Sequence, residues 1–333
     1  MDAAPYLARV SRRERACRKA RMSGPEFRTE VRRYYARLNG RALPLGLGCA
    51  TIGEAGDAAR QSGYQQTLEQ AYEAGFRYYD TARLYGGSEF RVGRFLRSVE
   101  RASVFVATKT TLPAALTPEE AARHVRQNLQ NSLERLGVER VDLYQIHEVP
   151  TLDQALAPGG ALEELLRAKE AGLIRYIGLA TRWHDLSREA TAHPGFDTVL
   201  TYLDYNLIDQ TAARLIDYAA GRGKGVLNAT PLANGLLTGK DPRADTQMHV
   251  EVRRHRALAG DLYDFCQEQG VSLLALALQY PLRNPGLSLT LTGPAQPDEL
   301  QATVRACQSE IPESVWEKMY TLFGTHRAGG LSF

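Results

Sequence analysis

The 333-residue chain is 44% apolar and 24% charged, the balance of a soluble globular protein whose core is large enough to need no disulfides. Its four cysteines, Cys17, Cys49, Cys266 and Cys307, form no CxxC pair, which argues against a disulfide framework or a zinc site and for a reduced, cytoplasmic setting. The net charge of +3 is uneven, because residues 1–41 hold twelve Lys/Arg against four Asp/Glu, a balance of +8 that leaves −5 for the rest.

The Arg-rich N-terminus has no apolar stretch behind it, so it does not read as a secretory signal. The longest strongly apolar run, Val271–Leu278, is too short to span a bilayer. Few aromatics interleave with the charges of the basic arm, Tyr34 and Tyr35 at its end among them, and no nucleic-acid motif follows it. The arm reads as a solvated helical extension packed on the domain, with a protein partner as the alternative.

From Leu43 onward, short apolar runs alternate with longer amphipathic ones. The strand candidates are Leu43–Leu47, Phe76–Tyr79, Val104–Thr108, Val141–Ile146, Ile174–Leu179, Thr198–Tyr202, Gly225–Leu227 and Leu287–Leu291. Between them the three- and four-residue apolar spacing predicts helices over Ala59–Ala74, Glu89–Val99, Pro118–Leu136, Ala161–Ala171, Ala212–Ala220 and Val252–Gln269. Gly75, Gly137, Gly172 and Gly270 each follow such a run, where a helix asks for a left-handed residue. Eight strands alternating with helices make a parallel α/β architecture. A doubly wound sheet wants a Gly-rich turn after its first strand, and Gly46 and Gly48 lack the third glycine. The expected fold is therefore a (β/α)8 TIM barrel, a single domain over residues 41–333 with residues 1–40 as a basic extension.

Reactive side chains fall at consecutive strand ends: Asp80 after the second strand, Lys109 after the third, His147 after the fourth. Tyr85 follows Asp80 by five residues, on a loop with Gly86 and Gly87. Alone, each has a plainer reading: a helix N-cap, a rim lysine, a structural histidine, a packed aromatic. In a parallel barrel, however, the C-terminal strand ends share one face, and four such residues converge there. Together they suit hydride chemistry on a carbonyl. Tyr85 would supply the proton, the Lys109 ammonium would lower the pKa of its phenol, and Asp80 would hold Lys109 charged. A neutral His147 would donate to the carbonyl oxygen. Metal hydrolysis is disfavoured, because His147 is the lone strand-end histidine and His249 and His255 are poorly spaced as ligands.

Several ordered motifs carry a resemblance. GFRYYDTARLYGGSEFRVGRFL (Gly75–Leu96), VATK (Val106–Lys109) and LERLGVERVDLYQIH (Leu133–His147) resemble the segments that hold the four catalytic residues of aldo-keto reductases. RAKEAGLIRYIGLA (Arg167–Ala180), YNLID (Tyr205–Asp209) and PLANGLLTGK (Pro231–Lys240) are similar to later patterns of that family, most of all its sugar-oxidising branch. The resemblance spans about residues 40–310. It implies a nicotinamide cofactor lying across the barrel mouth near Thr181, Tyr202, Thr230, Leu232 and Asn234. The phosphate and adenosine end would meet Gly293, Pro294, Glu299 and Thr303 at the start of a helix, a suitable place for phosphate.

The chain departs from the family pattern at Ala180, where a polar residue is usual, and at Ala295, Glu299 and Thr303. A carboxylate at 299 repels a 2′-phosphate and accepts from a ribose hydroxyl, so NAD(H) is favoured over NADP(H) unless the basic arm, Lys224 or Arg243 supplies charge. Trp183 either lines the substrate pocket or packs under its loop. Substrate choice falls to Glu148–Gly160, Leu236–Val250 and Gly324–Phe333. The expected activity is a nicotinamide-dependent oxidoreductase acting on an aldehyde, ketone, aldose or lactol. The alternatives are a non-catalytic cofactor-binding or regulatory protein on the same barrel, and a reductase with a bulky substrate whose arm docks a partner.

Overall fold

The computed structural model describes residues 23–244 and 249–325. Its first sheet is a hairpin of β1 (Ala36–Leu38) and β2 (Arg41–Leu43). Asn39 and Gly40 turn it, both with positive φ, as a two-residue Asn-Gly turn requires. This hairpin lies where the sequence suggested only a helical extension, and Pro44 separates it from the barrel.

The eight strands that follow are β3 (Leu45–Gly48), β4 (Tyr78–Asp80), β5 (Phe105–Thr111), β6 (Val141–His147), β7 (Ile174–Ala180), β8 (Thr198–Tyr202), β9 (Gly225–Ala229) and β10 (Leu289–Thr292). They close into a barrel in the order β10-β3-β4-β5-β6-β7-β8-β9, every neighbour parallel. Each matches an expected strand, with ends displaced by three residues at most. The shift matters at the site: Asp80 and His147 are the last residues of their strands, and Lys109 lies inside β5.

The helices are α1 (Ser23–Glu30), α2 (Ala58–Ala74), α3 (Ser88–Leu96), α4 (Pro118–Leu136), α5 (Asp153–Leu156), α6 (Ala161–Glu170), α7 (His184–Ala192), α8 (Ala213–Ala220), α9 (Arg256–Gln269), α10 (Leu273–Leu282), α11 (Pro297–Gln308) and α12 (Glu313–Phe323). Helix α4 shows how locally its limits are written. Thr117 and Glu120 form a reciprocal capping box, Pro118 occupies the first turn, and left-handed Gly137 closes the end. Gly75, Gly172 and Gly270 also take positive φ, as their places after helical runs suggested. The helix expected from Val252 begins as 3-10 turns over Val250–His255, and α9 starts at Arg256. Helix α10 takes up most of the apolar run Val271–Leu278 and is buried nearly all round, so no polar stripe marked it as a helix.

The N-terminal floor of the barrel is plugged from outside. Phe27 of α1 and Val31 just beyond it are fully buried among the inward side chains of the strands. The Phe27 ring meets Tyr176 at 5.1 Å and Phe105 at 5.9 Å, both edge-on. Gly225 makes room for it, since a Cβ there would lie 2.3 Å from the Phe27 ring. Arg28 donates to the Pro285 carbonyl at 3.0 Å, and Glu30 pairs with Arg175 at 2.9 Å. At least this part of the basic segment packs as part of the barrel, while residues 1–22 of the arm lie outside the described residues.

Around the same rim, side chains pin one strand to the next. Asp142 accepts from the Val106 amide at 2.9 Å, Asp197 from Ile177 at 2.8 Å, and Ser288 from Val226 at 3.1 Å. Asp142 is also paired with Arg101 and Arg175, and Asp197 with Lys169, so these buried carboxylates are neutralised. Phe27→Ala is expected to cost about 3–5 kcal/mol in denaturant unfolding, the range for a truncated core aromatic. A loss near zero would make the plug superficial.

Candidate active site

At the opposite end of the barrel, β4, β5 and β6 bring Asp80, Lys109 and His147 together. Lys109 is 1% exposed, and its ammonium has three N–H groups and three acceptors. One is the Asp80 carboxylate, held in a close salt bridge. The second is the Thr81 carbonyl at 2.9 Å, and the third the Tyr85 phenol at 3.3 Å. The second oxygen of Asp80 accepts from the Gln145 amide at 3.2 Å. Asp80 thus caps no helix; its carboxylate is spent on Lys109 and Gln145.

Tyr85 reaches this cluster because its loop is tied down. Ser88 donates to the Cys49 carbonyl and accepts from Thr81, both at 2.7 Å. The Gly87 amide donates to Gly53 at 2.9 Å. Gly53 has to be glycine, because a Cβ there would overlap the Tyr85 carbonyl at 1.6 Å. Buried Glu89, at the start of α3, accepts from Thr108 at 2.7 Å and pairs with Arg135 at 3.3 Å, which docks the helix beside Lys109. The His147 ring stands edge-on to Tyr85, with centroids 5.7 Å apart, and its Nδ1 is buried with no protein partner.

Burial sets the electrostatics. It pushes the Asp80 carboxyl above the usual range, against the pull of Lys109 and Gln145. Burial also opposes the Lys109 ammonium, but Asp80 and Tyr85 outweigh it and hold the group above its ordinary value. Tyr85 departs from the expected direction: burial raises its phenol, Lys109 lowers it, and burial wins. Sequence alone supplies the ammonium but not the depth of the ring. His147 is pushed down to about 3 by burial, then by Lys109 and Arg182, and is neutral at ordinary pH.

The positions suggested for a cofactor form an arc along four neighbouring strand ends. Thr181 follows β7 and is buried, its hydroxyl accepting from the Trp183 amide at 3.3 Å. Tyr202 ends β8 and stands within 3.3 Å of Asn234, after β9. Thr230 and Asn234 take positive φ in the turn beyond β9, which also carries half-buried Leu232. Beyond β10 come exposed Gly293 and buried Pro294, then Thr303, buried within α11. Such an arc fits an elongated ligand. Its far end holds a surprise, because the Glu299 carboxylate accepts from the Ala295 and Gln296 amides at 2.8 and 3.2 Å. Two of the N–H groups a phosphate would use, those just before α11, are thus engaged by Glu299. Neither cation held in reserve is free: Lys224 donates to the His193 and Phe196 carbonyls by the floor, and Arg243 is locked to Asp241 and Asp264.

Sequence reasoning overlooked several residues. Arg182 is gripped by Glu148 at 3.2 Å and Glu251 at 2.6 Å, and its guanidinium lies over the Tyr202 ring at 5.3 Å. The other oxygen of Glu251 meets Tyr202 and Asn234 at 3.4 and 3.3 Å. Nothing local announces this, since the three charges come from three loops. Gln145 was legible, because Leu143, Gln145 and His147 alternate on one face of β6. Trp183 is 55% exposed, so it does not pack under its loop. Of the loops expected to choose the substrate, residues 245–248 and the tail from 326 lie outside the described residues. Among the described residues no group of side chains is arranged to hold a metal ion.

A model of the Aldo/keto reductase family matches residues 44–322. The chain belongs to that family. It is accordingly a nicotinamide-dependent oxidoreductase acting on carbonyl or alcohol groups. This aldo-keto reductase is 28% identical over 314 residues to D-threo-aldose 1-dehydrogenase of a Pseudomonas species, covering 84% of this chain and 94% of the relative. It is 29% identical over 271 residues to L-galactose dehydrogenase of Arabidopsis thaliana, covering 79% and 83%. Its fold is similar to that of a holo-form aldo-keto reductase from Bacillus halodurans, with a TM-score of 0.69 at 22% identity over 86% of this chain and 95% of that one. No helix among the described residues is long and apolar enough to cross a membrane.

Two histidines should titrate in opposite directions. Burial holds His147 neutral, whereas a 2.7 Å contact to Asp204 raises His184. Ring NMR signals should show His147 unprotonated at pH 5 and His184 still charged above pH 6.5. The unfolded chain protonates at 147 below about 6.5 and the folded one near 3, so this group withdraws stability as pH falls through that window. A His147 signal that titrates near 6.5 would contradict the buried, neutral assignment.

Proposed function

We propose that Tyr85 is the general acid and base of this reductase, with Asp80, Lys109 and His147 completing the site. The observation that carries the reading is the Lys109 ammonium, 3.3 Å from the phenol oxygen with its other two N–H groups already bonded. Tyr85 accepts that contact, which leaves its own proton to be given to a substrate oxygen. A nearby ammonium stabilises the phenolate left behind, and burial strengthens that effect by excluding water. Neutral His147 faces the same space and orients a carbonyl by hydrogen bonding. A bound nicotinamide supplies or takes the hydride; positioning, polarising and proton transfer fall to these side chains.

Thr181, Tyr202, Thr230, Leu232, Asn234, Gly293, Pro294, Glu299 and Thr303 would hold the cofactor. Glu299 favours NAD(H) over NADP(H), because a carboxylate already seated on the α11 amides repels a 2′-phosphate. The engagement of Lys224 and Arg243 elsewhere supports the same preference. The assembled ammonium–phenol pair favours catalysis over a purely regulatory role. For substrate, a polyhydroxy aldehyde or lactol fits best: the similar proteins oxidise aldoses and L-galactose by name, and exposed Trp183 stands beside the Arg182, Glu148 and Glu251 cluster. An aromatic face flanked by charged donors and acceptors suits a sugar.

Tyr85→Phe should reduce kcat by about 100-fold or more while NADH affinity, read by fluorescence titration, stays within about twofold. A variant with wild-type turnover would remove Tyr85 from its role. Glu299→Gln keeps an acceptor for the helix cap and removes the charge. It should tighten NADPH relative to NADH by about fivefold, roughly 1 kcal/mol, with little change in melting temperature. An unchanged ratio would show that the 2′-phosphate lies elsewhere.

A further inference from the structure

We propose that Gln145 is a positioning residue for the proton-transfer site, holding Asp80 ionised and aimed so that Lys109 stays charged against Tyr85. This rests on the reading of Tyr85 as the acid and adds a residue to it.

The register places the residue. Lys109 on β5 pairs with Gln145 on β6, Gln145 with Gly178 on β7, and Gly178 with Thr198 on β8. Side chains in register on parallel neighbours point to the same side, so Gln145 lies beside Lys109 inside the barrel. Gly178 gives it room, because a Cβ there would stand 3.0 Å from the Gln145 Cγ and 2.3 Å from the Thr198 hydroxyl. Gln145 is fully buried. Among the described residues it is the one side chain besides Lys109 that hydrogen-bonds to the Asp80 carboxylate. The carboxylate fixes which way the amide faces, since reversing it would set oxygen against oxygen.

The stakes follow from burial. A carboxylate with an unpaired oxygen in a dry site is strongly disfavoured, and the readiest relief is to take up a proton. Burial already drives Asp80 that way. Without the amide donor the carboxyl neutralises more readily, Lys109 loses its strongest attraction and with it its charge, and the Tyr85 phenol rises, because Lys109 lowers it more than Asp80 raises it. The remaining groups facing the pair offer Asp80 no replacement for the amide. Burial and the Asp80 charge keep both the Cys49 thiol, just after β3, and the Tyr78 phenol on β4 protonated, while Tyr202 and His147 face Tyr85 from β8 and β6.

Gln145→Met matches the side chain in length and removes the donor. Infrared difference spectra of Q145M against Q145M/D80N, taken without cofactor or substrate, read the Asp80 carboxyl directly. The expected result is an Asp80 that protonates at least about one pH unit higher than in wild type, compared with Asp80→Asn alone. In turnover, kcat should fall about 10- to 100-fold with KM within about twofold, and the pH–rate limb should move to higher pH. A folded Q145M with wild-type Asp80 titration overturns the proposal, because a merely structural glutamine would lower stability and leave that titration in place. A shifted titration with an unmoved pH–rate limb supports the Gln145–Asp80 coupling and counts against Tyr85 as the acid. If Met prevents folding, Gln145→Glu makes the test, since two acids sharing one proton restore the donor. Q145E should keep its turnover until that proton leaves and lose it above that pH. A wild-type pH profile for Q145E overturns the proposal.

Discussion

A buried ammonium and a buried carboxylate, closed on each other at the ends of two adjacent strands, set the terms for the rest of this protein's working face. Neither Lys109 nor Asp80 could be carried into the barrel alone, because an unpaired charge there costs several kcal/mol. Paired, each still has bonding capacity left over, and the structure puts it to use. Asp80 takes the Gln145 amide; Lys109 takes the Thr81 carbonyl and the Tyr85 phenol. The Tyr85 hydroxyl is thus placed by the need to satisfy an ammonium as much as by its own loop. That loop is tied through Ser88, Gly53 and Glu89 to the segment after β3 and to β5, so the phenol arrives on a rigid mount.

The two ends of the barrel divide the labour. At the floor, Phe27 and Val31 seal the interior, and paired acids at the strand starts bond the backbone of neighbouring strands. Charge there is neutralised and stabilising. At the mouth, burial disfavours ionisation of Asp80 and Tyr85 and holds His147 neutral, which makes proton positions sensitive to small changes. Around the rim, Arg182 draws Glu148 and Glu251 from two other loops. Glu251 also occupies the polar groups of Tyr202 and Asn234, so a ligand running along that arc must exchange one set of hydrogen bonds for another.

Much was legible along the chain. The eight strands, most of the helices between them and the clustering of Asp80, Lys109 and His147 at one face follow from period and position. Membership of the aldo-keto reductase family follows from ordered motifs. The misreadings have physical reasons. Helix α10 hides its periodicity because it is buried nearly all round. The hairpin at residues 36–43 is betrayed only by its Asn-Gly turn, inside a segment whose charge suggested a solvated arm. Glu299 looked like a ribose ligand and is also a helix cap, a role visible only when its carboxylate is seen on two backbone amides.

The sequence by itself determined which residues form strands and helices, and which reactive side chains share the mouth of the barrel. Those are matters of local spacing, and a strand's period of two assigns its faces without help from distant parts of the chain. Tertiary structure alone decided how deep each group lies and which partner it meets. It made the Tyr85 phenol rise although Lys109 pulls it down, and it turned Gln145 toward Asp80. It also carried Phe27 from a basic arm into the core and brought Glu251 to Arg182 across 69 residues. Burial and long-range pairing depend on the whole packed volume, and no local pattern in the chain encodes them.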